Sequence, residues 1–182
     1  MRLPAILRTL HRLITLFEEN SIDYMIIGGY ALPFYGRLRT TVDFDVAVAV
    51  KSQQQFNVLL NLLRSADLQP TIDSPNNPLV VVVDLKEGIE FELWTKPDGI
   101  VFDEETRKRR RKVQLGEGIC AWIVSPEDFV VTKLARADRG VMDEQDVKSV
   151  LTAQEGKLDY VYLEKRAKDA QVLTILKTIQ NE

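Results

Sequence analysis

Two aspartates separated by one residue, Asp43 and Asp45, lie in a run that reads VDFDVAVAV, and a Gly28-Gly29 pair closes an earlier apolar run, YMII. On an extended strand, residues two apart project the same way from positions about 6.5 to 7 Å apart. Carboxylates so placed repel each other unless a cation lies between them, the oxygen-rich setting that Mg²⁺ takes when substrate phosphates complete its shell. A solvent-exposed strand face would show the same D-x-D alternation. The glycines add a second kind of chemistry. At a strand end with a helix following, Gly28 and Gly29 would expose backbone N–H groups at a positive helix terminus, where a phosphate approaches without meeting a Cβ.

The elements that must position these groups are predicted by periodicity. Leu3, Ile6, Leu7, Leu10, Leu13, Ile14 and Phe17 recur at three- and four-residue steps and predict an amphipathic helix ending near Asn20. The basic residues and leucines also resemble a signal peptide, but that spacing, with Arg8 and Arg12 interrupting any apolar core, favours the amphipathic helix. Tyr24 to Ile27 predicts a buried strand, Tyr30 to Tyr35 a short helix with Pro33 near its start and Gly36 at its end, and Val42 to Val50 a second strand. On that strand Val42, Phe44, Val46 and Val48 share one face, while Asp43 and Asp45 share the other.

Phe56, Leu59, Leu60 and Leu63 mark another amphipathic helix with Ser52 as its cap, and Gln69 to Pro78 reads as a loop. Leu79 to Leu85 and Ile89 to Thr95 predict a hairpin around Lys86-Glu87-Gly88, and Val113 to Leu115 with Ile119 to Val124 predict a second pair. From Ser125-Pro126-Glu127-Asp128, a helix start with a capping serine and proline at the first position, the chain reads as helical. The expected organisation is therefore an α/β core over residues 1–124 and a helical subdomain over 125–182.

Composition narrows the chemistry. The chain has 182 residues, 45% of them hydrophobic and 28% charged, and no apolar run approaches the roughly 20 residues of a membrane helix. A cytoplasmic protein is expected. With one cysteine, Cys120, and one histidine, His11, there is no candidate for an internal disulfide, a histidine-based triad or a Cys/His zinc cluster, so any metal would be held by oxygen. The net charge of -3 argues against a coat of nucleic acid, yet Arg107 to Lys112 places six cations in a row. That run is either a solvated helix face or basic turn, or a contact for phosphate or RNA.

Gly28, Gly29, Ala31, Gly36, Arg39, Thr41, Asp43 and Asp45 together follow the pattern GGxAxxxxGxxRxTxDxD. In this the chain resembles the nucleotidyltransferase superfamily related to DNA polymerase β, and more closely its small prokaryotic branch of abortive-infection (type IV) toxins and minimal nucleotidyltransferases. The resemblance implies an α+β fold, a mixed β-sheet flanked by helices with a helical C-terminal region. It also implies a third acid on a neighbouring strand that completes a carboxylate triad for two Mg²⁺ ions. Glu90 and Glu92 are the candidates, and Glu92 is preferred because LWTKPDGIVF after it is similar to the family's segment. The family's usual residue there is aspartate.

By the same resemblance Asp43, Asp45 and Glu92 are the catalytic metal ligands, and Gly28, Gly29, Arg39, Thr41 and Lys133 serve the nucleoside triphosphate. Lys133 meets triphosphate or base, or else forms a salt bridge; Arg39 orients Asp43 or meets phosphate. Asp143 and Asp146 read as capping or first-turn acids. The implied reaction is in-line attack of an acceptor hydroxyl on the α-phosphorus with loss of pyrophosphate, with Glu90 free to assist proton removal. RNA or protein ranks first as acceptor and a small alcohol second, and the toxin branch implies an antitoxin partner. The alternative is a member of the fold that binds nucleotide or a partner without turnover.

Overall fold

The helical spacing at the start of the chain produces α1 (Ala5–Glu19), which buries Leu10, Leu13, Ile14 and Phe17. The computed structural model describes residues 3–41, 43–72, 74, 76–116 and 118–181. Val42, expected on the second strand, lies outside the described residues. Strand β1 (Tyr24–Ile27) is buried along its whole length. It is followed by β2 (Asp45–Val48), α2 (Gln53–Ser65), β3 (Leu68–Ile72), β4 (Leu79–Asp84) and β5 (Ile89–Trp94). Then come α3 (Glu104–Arg109), β6 (Arg111–Gly116), β7 (Ile119–Ile123) and four helices, α4 (Pro126–Ala135), α5 (Val141–Ala153), α6 (Tyr160–Asp169) and α7 (Leu173–Gln180). Ser52 and Ser125 cap α2 and α4 through their hydroxyls, as their positions predicted.

The strands form one mixed sheet in the order β3-β4-β5-β2-β1-β7-β6. β2 runs parallel to β5 and β1 parallel to β7, and the remaining neighbours are antiparallel. The architecture is the expected α+β mixed sheet with a helical C-terminal region. No described helix is long and apolar enough to cross a membrane.

Three local expectations are corrected. Gln69 to Ile72, expected to open a loop, belong instead to strand β3. Proline lacks the N–H that a central ladder needs, but β3 is an edge strand, where Pro70 sits opposite Val82 beside an irregularity in register. The short helix expected over Tyr30 to Tyr35 is divided into two three-residue 3₁₀ helices, Gly28–Tyr30 and Leu32–Phe34, too short to sum a helix dipole. Finally, β2 begins at Asp45, so Asp43 stands before the strand rather than on it.

A pair of phenyl rings sets the register on which the site depends. Phe44 and Phe91 are buried and stack with centroids 4.7 Å apart. Each is followed directly by an acid. Alternation along a strand turns the next residue to the opposite face, and Asp45 is accordingly the direct partner of Glu92 across the parallel β2–β5 pair.

Candidate active site

The C-terminal end of β1, the start of β2, the end of β5 and the end of α4 enclose a cleft of two joined lobes. One, of about 410 Å³, is polar and is lined by Gly28, Gly29, Arg39, Thr41 and Asp43, among others. The other, of about 400 Å³, is more apolar and takes in Ile27, Leu79, Trp94, Pro97 and the rim acids Asp98 and Asp138. Gly28, Asp45, Glu92, Lys133 and Arg136 line both. The sequence motif and the third-acid candidate thus converge on one cleft. Glu92 rather than Glu90 faces it; Glu90 is exposed and lines neither lobe, which removes its expected part in proton transfer.

Asp45 and Glu92 lie within hydrogen-bonding reach of each other. Burial pushes the Asp45 carboxyl up from the ordinary carboxylate range, and Glu92 only partly offsets this by hydrogen bonding to it. Burial likewise pushes Glu92 up, and the charge of Asp45 pushes it further, with a smaller contribution from Asp43. Two facing carboxyls of this kind share a proton or take a cation. The Trp94 indole borders the pair, and its Nε1 is buried without a hydrogen bond of good geometry.

The glycines act differently from a helix terminus. Gly28 has φ +64°, and a Cβ there would stand 2.1 Å from Asp45 Oδ2. Glycine is therefore required both by backbone conformation and by the approach of the carboxylate. A Cβ on Gly29 would meet Thr41 at 2.9 Å and an Arg39 guanidinium nitrogen at 3.2 Å. The pair lets the segment carrying Arg39 and Thr41 fold down over the turn, while Thr41 Oγ1 donates to the Asp43 carbonyl at 3.1 Å.

Lys133 is buried, and its Nζ lies 2.9 Å from Asp143 Oδ1 and 3.4 Å from Asp146 Oδ2. The salt bridge is therefore present, on a side chain that also lines the cleft. Burial would raise the Asp143 carboxyl, but Lys133 and the Gly140 N–H outweigh it and hold that carboxyl below its ordinary range. Asp143 also accepts from the Gly140 N–H at 3.1 Å, the capping role expected of it. Asp146 does something else: it is fully buried and meets Arg37 at 2.7 Å. Arg39 turns toward Asp146, at 3.8 Å.

Arg136 was not expected at the site. Its position three residues after Lys133, just past the end of α4, was the available signal.

The basic run is spent on the protein itself. Arg107 and Lys108 pair with Glu104, Arg109 with Glu105 and Asp159, and Lys112 reaches Glu18 at 3.8 Å. Arg110 is nearly buried, donating to Asp23 and to the Tyr24 carbonyl and stacking over Trp122, and Arg111 lies over the Tyr35 ring. The structural alternative for this run is the one that the fold uses.

The donor set fits a hard divalent cation. It consists of carboxylate oxygens, with two facing carboxyls raised by burial and the Asp45 carboxylate lying against Gly28 where a side chain would otherwise stand. Among the described residues no three acids, histidines or cysteines converge into a preformed shell, so such an ion would draw further oxygens from substrate and water.

Residues 2–181 match the family described as "Nucleotidyltransferase of unknown function (DUF6036)". No curated protein matches the chain in sequence. Among solved structures, a lincomycin-bound lincosamide antibiotic adenylyltransferase, LnuA, superposes with TM-score 0.54 at 12% identity, covering 80% of this chain and 96% of its own. An antigenic nucleotidyltransferase-like protein from Paracoccidioides brasiliensis gives TM-score 0.54 at 19% identity, covering 95% and 91%. The antibiotic-resistance factor ANT(2'')-Ia gives 0.52 at 11%, covering 94% and 95%. At these identities the likeness is one of fold.

Proposed function

We propose that this chain, which belongs to the nucleotidyltransferase family DUF6036, transfers a nucleoside monophosphate from a nucleoside triphosphate to a hydroxyl of a small molecule. The observation that carries this reading is the pairing of Asp45 with Glu92 where a polar, glycine-floored lobe lined by both cations and acids meets a more apolar one. Asp43, Asp45 and Glu92 would hold Mg²⁺, which when bound neutralises phosphate charge and lowers the pKa of the attacking hydroxyl. Arg39, Lys133 and Arg136 offer charge to the polyphosphate, and Thr41 with the backbone of Gly28 and Gly29 offers close hydrogen-bonding approach. The acceptor enters from the Trp94 and Leu79 side, placing its hydroxyl next to the two acids. Holding both reactants in one cleft converts a bimolecular step into a local one.

The choice of acceptor departs from the order suggested by sequence. The pairing of the basic run with acids of the protein lends RNA less support, and a lobe of about 400 Å³ with both polar and apolar lining has the size of a small molecule's site. That the fold is shared with a protein titled a lincosamide adenylyltransferase is consistent with such acceptors. The test is incubation with Mg²⁺ and each α-labelled nucleoside triphosphate in the presence of a metabolite extract, total RNA or total protein. Label in a small product, abolished in Asp45→Ala, supports the proposal. Label in RNA or protein would reassign the acceptor, and nucleotide binding without transfer to anything would reduce the protein to a binding module.

A further inference from the structure

Asp146 on α5 is completely buried, and cations from two other segments converge on it. Arg37 lies at 2.7 Å, Lys133 at 3.4 Å and Arg39 at 3.8 Å. A buried charge must be compensated, but the compensation here is lopsided. Asp143 takes the other side of Lys133, so two carboxylates stand against three cations and surplus positive charge is left. Lys133 and Arg39 both line the polar lobe, with Arg136, across from the acids Asp43, Asp45 and Glu92.

The segment before Arg39 is fastened to the same helix. Arg37 donates its backbone N–H to Ser149 Oγ at 3.2 Å and a guanidinium N–H to Gln145 at 3.0 Å, and a Cβ on Gly36 would stand 2.5 Å from Ser149 Oγ. Arg37 lines neither lobe. It works as a fastener, while its neighbour two residues on reaches the cleft. Arg39 Nε and Asp146 Oδ2 are both buried and neither makes a hydrogen bond. Folding does not normally leave such atoms apart unless other demands set their positions.

We propose that Asp146 is a positioning residue for the triphosphate: one buried carboxylate on the C-terminal helical region aims Arg39 and Lys133 at the polar lobe before nucleotide arrives. It does so by fixing two flexible cationic arms from different segments against a single rigid point, which removes the entropy each would otherwise lose on binding. Asp146 itself touches no substrate. This rests on the reading of the polar lobe as the triphosphate subsite, and it adds that the C-terminal helices, rather than the sheet alone, set the affinity of that subsite.

The experiment is calorimetric titration of inorganic triphosphate with Mg²⁺ into the full chain, with Tm recorded for each variant as a check on folding. Asp146→Asn should weaken binding about tenfold or more, and Arg39→Gln should weaken it in the parent chain but add little on top of Asp146→Asn, a coupling of about tenfold. A merely structural role would lower Tm and leave the two effects multiplicative. A folded Asp146→Asn that binds within about twofold of the parent, or two substitutions whose effects multiply, overturns the positioning role while the subsite stands. Should Asp146→Asn fail to fold, Asp146→Glu is tested the same way; its longer arm displaces both cations, and unchanged affinity in it counts equally against the proposal. A parent chain that does not bind inorganic triphosphate overturns the subsite reading itself, and the positioning role with it.

Discussion

Replacing Asp45 by asparagine should make the metal-free protein more stable while destroying its activity. Asp45 and Glu92 are direct partners across β2–β5, each raised above the ordinary carboxylate range by burial first, and Glu92 raised further by the charge of Asp45. Like charges directly opposite on a sheet cost about 0.2–1 kcal/mol. Relief of that repulsion therefore corresponds to a rise of up to about 4 °C in Tm for a chain of this size.

The sign with pH is set by linkage. Both folded pKa values lie above their unfolded ones, so the folded state holds more protons in the window between, and the parent gains stability as pH falls through the raised values. Asp45→Asn removes one titrating group and, with it, much of the upward push on Glu92, so its stability should change less across that window. Added Mg²⁺ should raise the Tm of the parent and do little for the variant. Thermal melts from about pH 4.5 to pH 8, with and without Mg²⁺, test all three expectations. A variant less stable than the parent at neutral pH without metal would refute the idea that the two carboxyls are held together against their own repulsion.

Gly28→Ala should abolish transfer and destabilise the protein by about 1–3 kcal/mol, because the new Cβ meets Asp45 Oδ2 in a backbone conformation that alanine resists; activity and melts together check it. Arg110→Ala should cost about 2–3 kcal/mol in denaturant melts, since it leaves Asp23 and the Tyr24 carbonyl without their shared donor and uncovers Trp122. Lys108→Gln, on the same run but exposed, should change stability by no more than about 0.5 kcal/mol and leave transfer unaltered. Asp84→Ala should destabilise by about 3 kcal/mol, because that buried carboxylate joins Thr9 and Arg12 of α1 to the β4–β5 turn; equilibrium unfolding measures it.

Much of the site could be read from the chain because its constraints are local. Gly28, Gly29, Asp43 and Asp45 sit within one short segment, and Glu92 was preferred to Glu90, which shares its strand face, through the segment LWTKPDGIVF that follows it; its position opposite Asp45 is what sets it apart in the fold. What escaped was set by distant partners. Pro70 argued for a loop, and only the position of β3 at the sheet edge makes it tolerable. Asp146 looked like any acid in the first half of a helix. Its role depends on Arg37 and Arg39, more than a hundred residues away in sequence, and nothing in its neighbourhood encodes that. The run from Arg107 to Lys112 left two readings open: its pairs with Glu104 and Glu105 are local, but its partners Asp23, Asp159 and Glu18 are not.

Whether the paired acids of β2 and β5 support nucleotidyl transfer is decided by following α-labelled nucleoside triphosphate and pyrophosphate together, in the parent chain and in Glu92→Gln, with Mg²⁺ and a metabolite extract. The parent should release one pyrophosphate for each labelled product formed, and the variant should yield neither. Equal turnover by Glu92→Gln, or release of orthophosphate in place of pyrophosphate, would contradict that role for the two carboxyls.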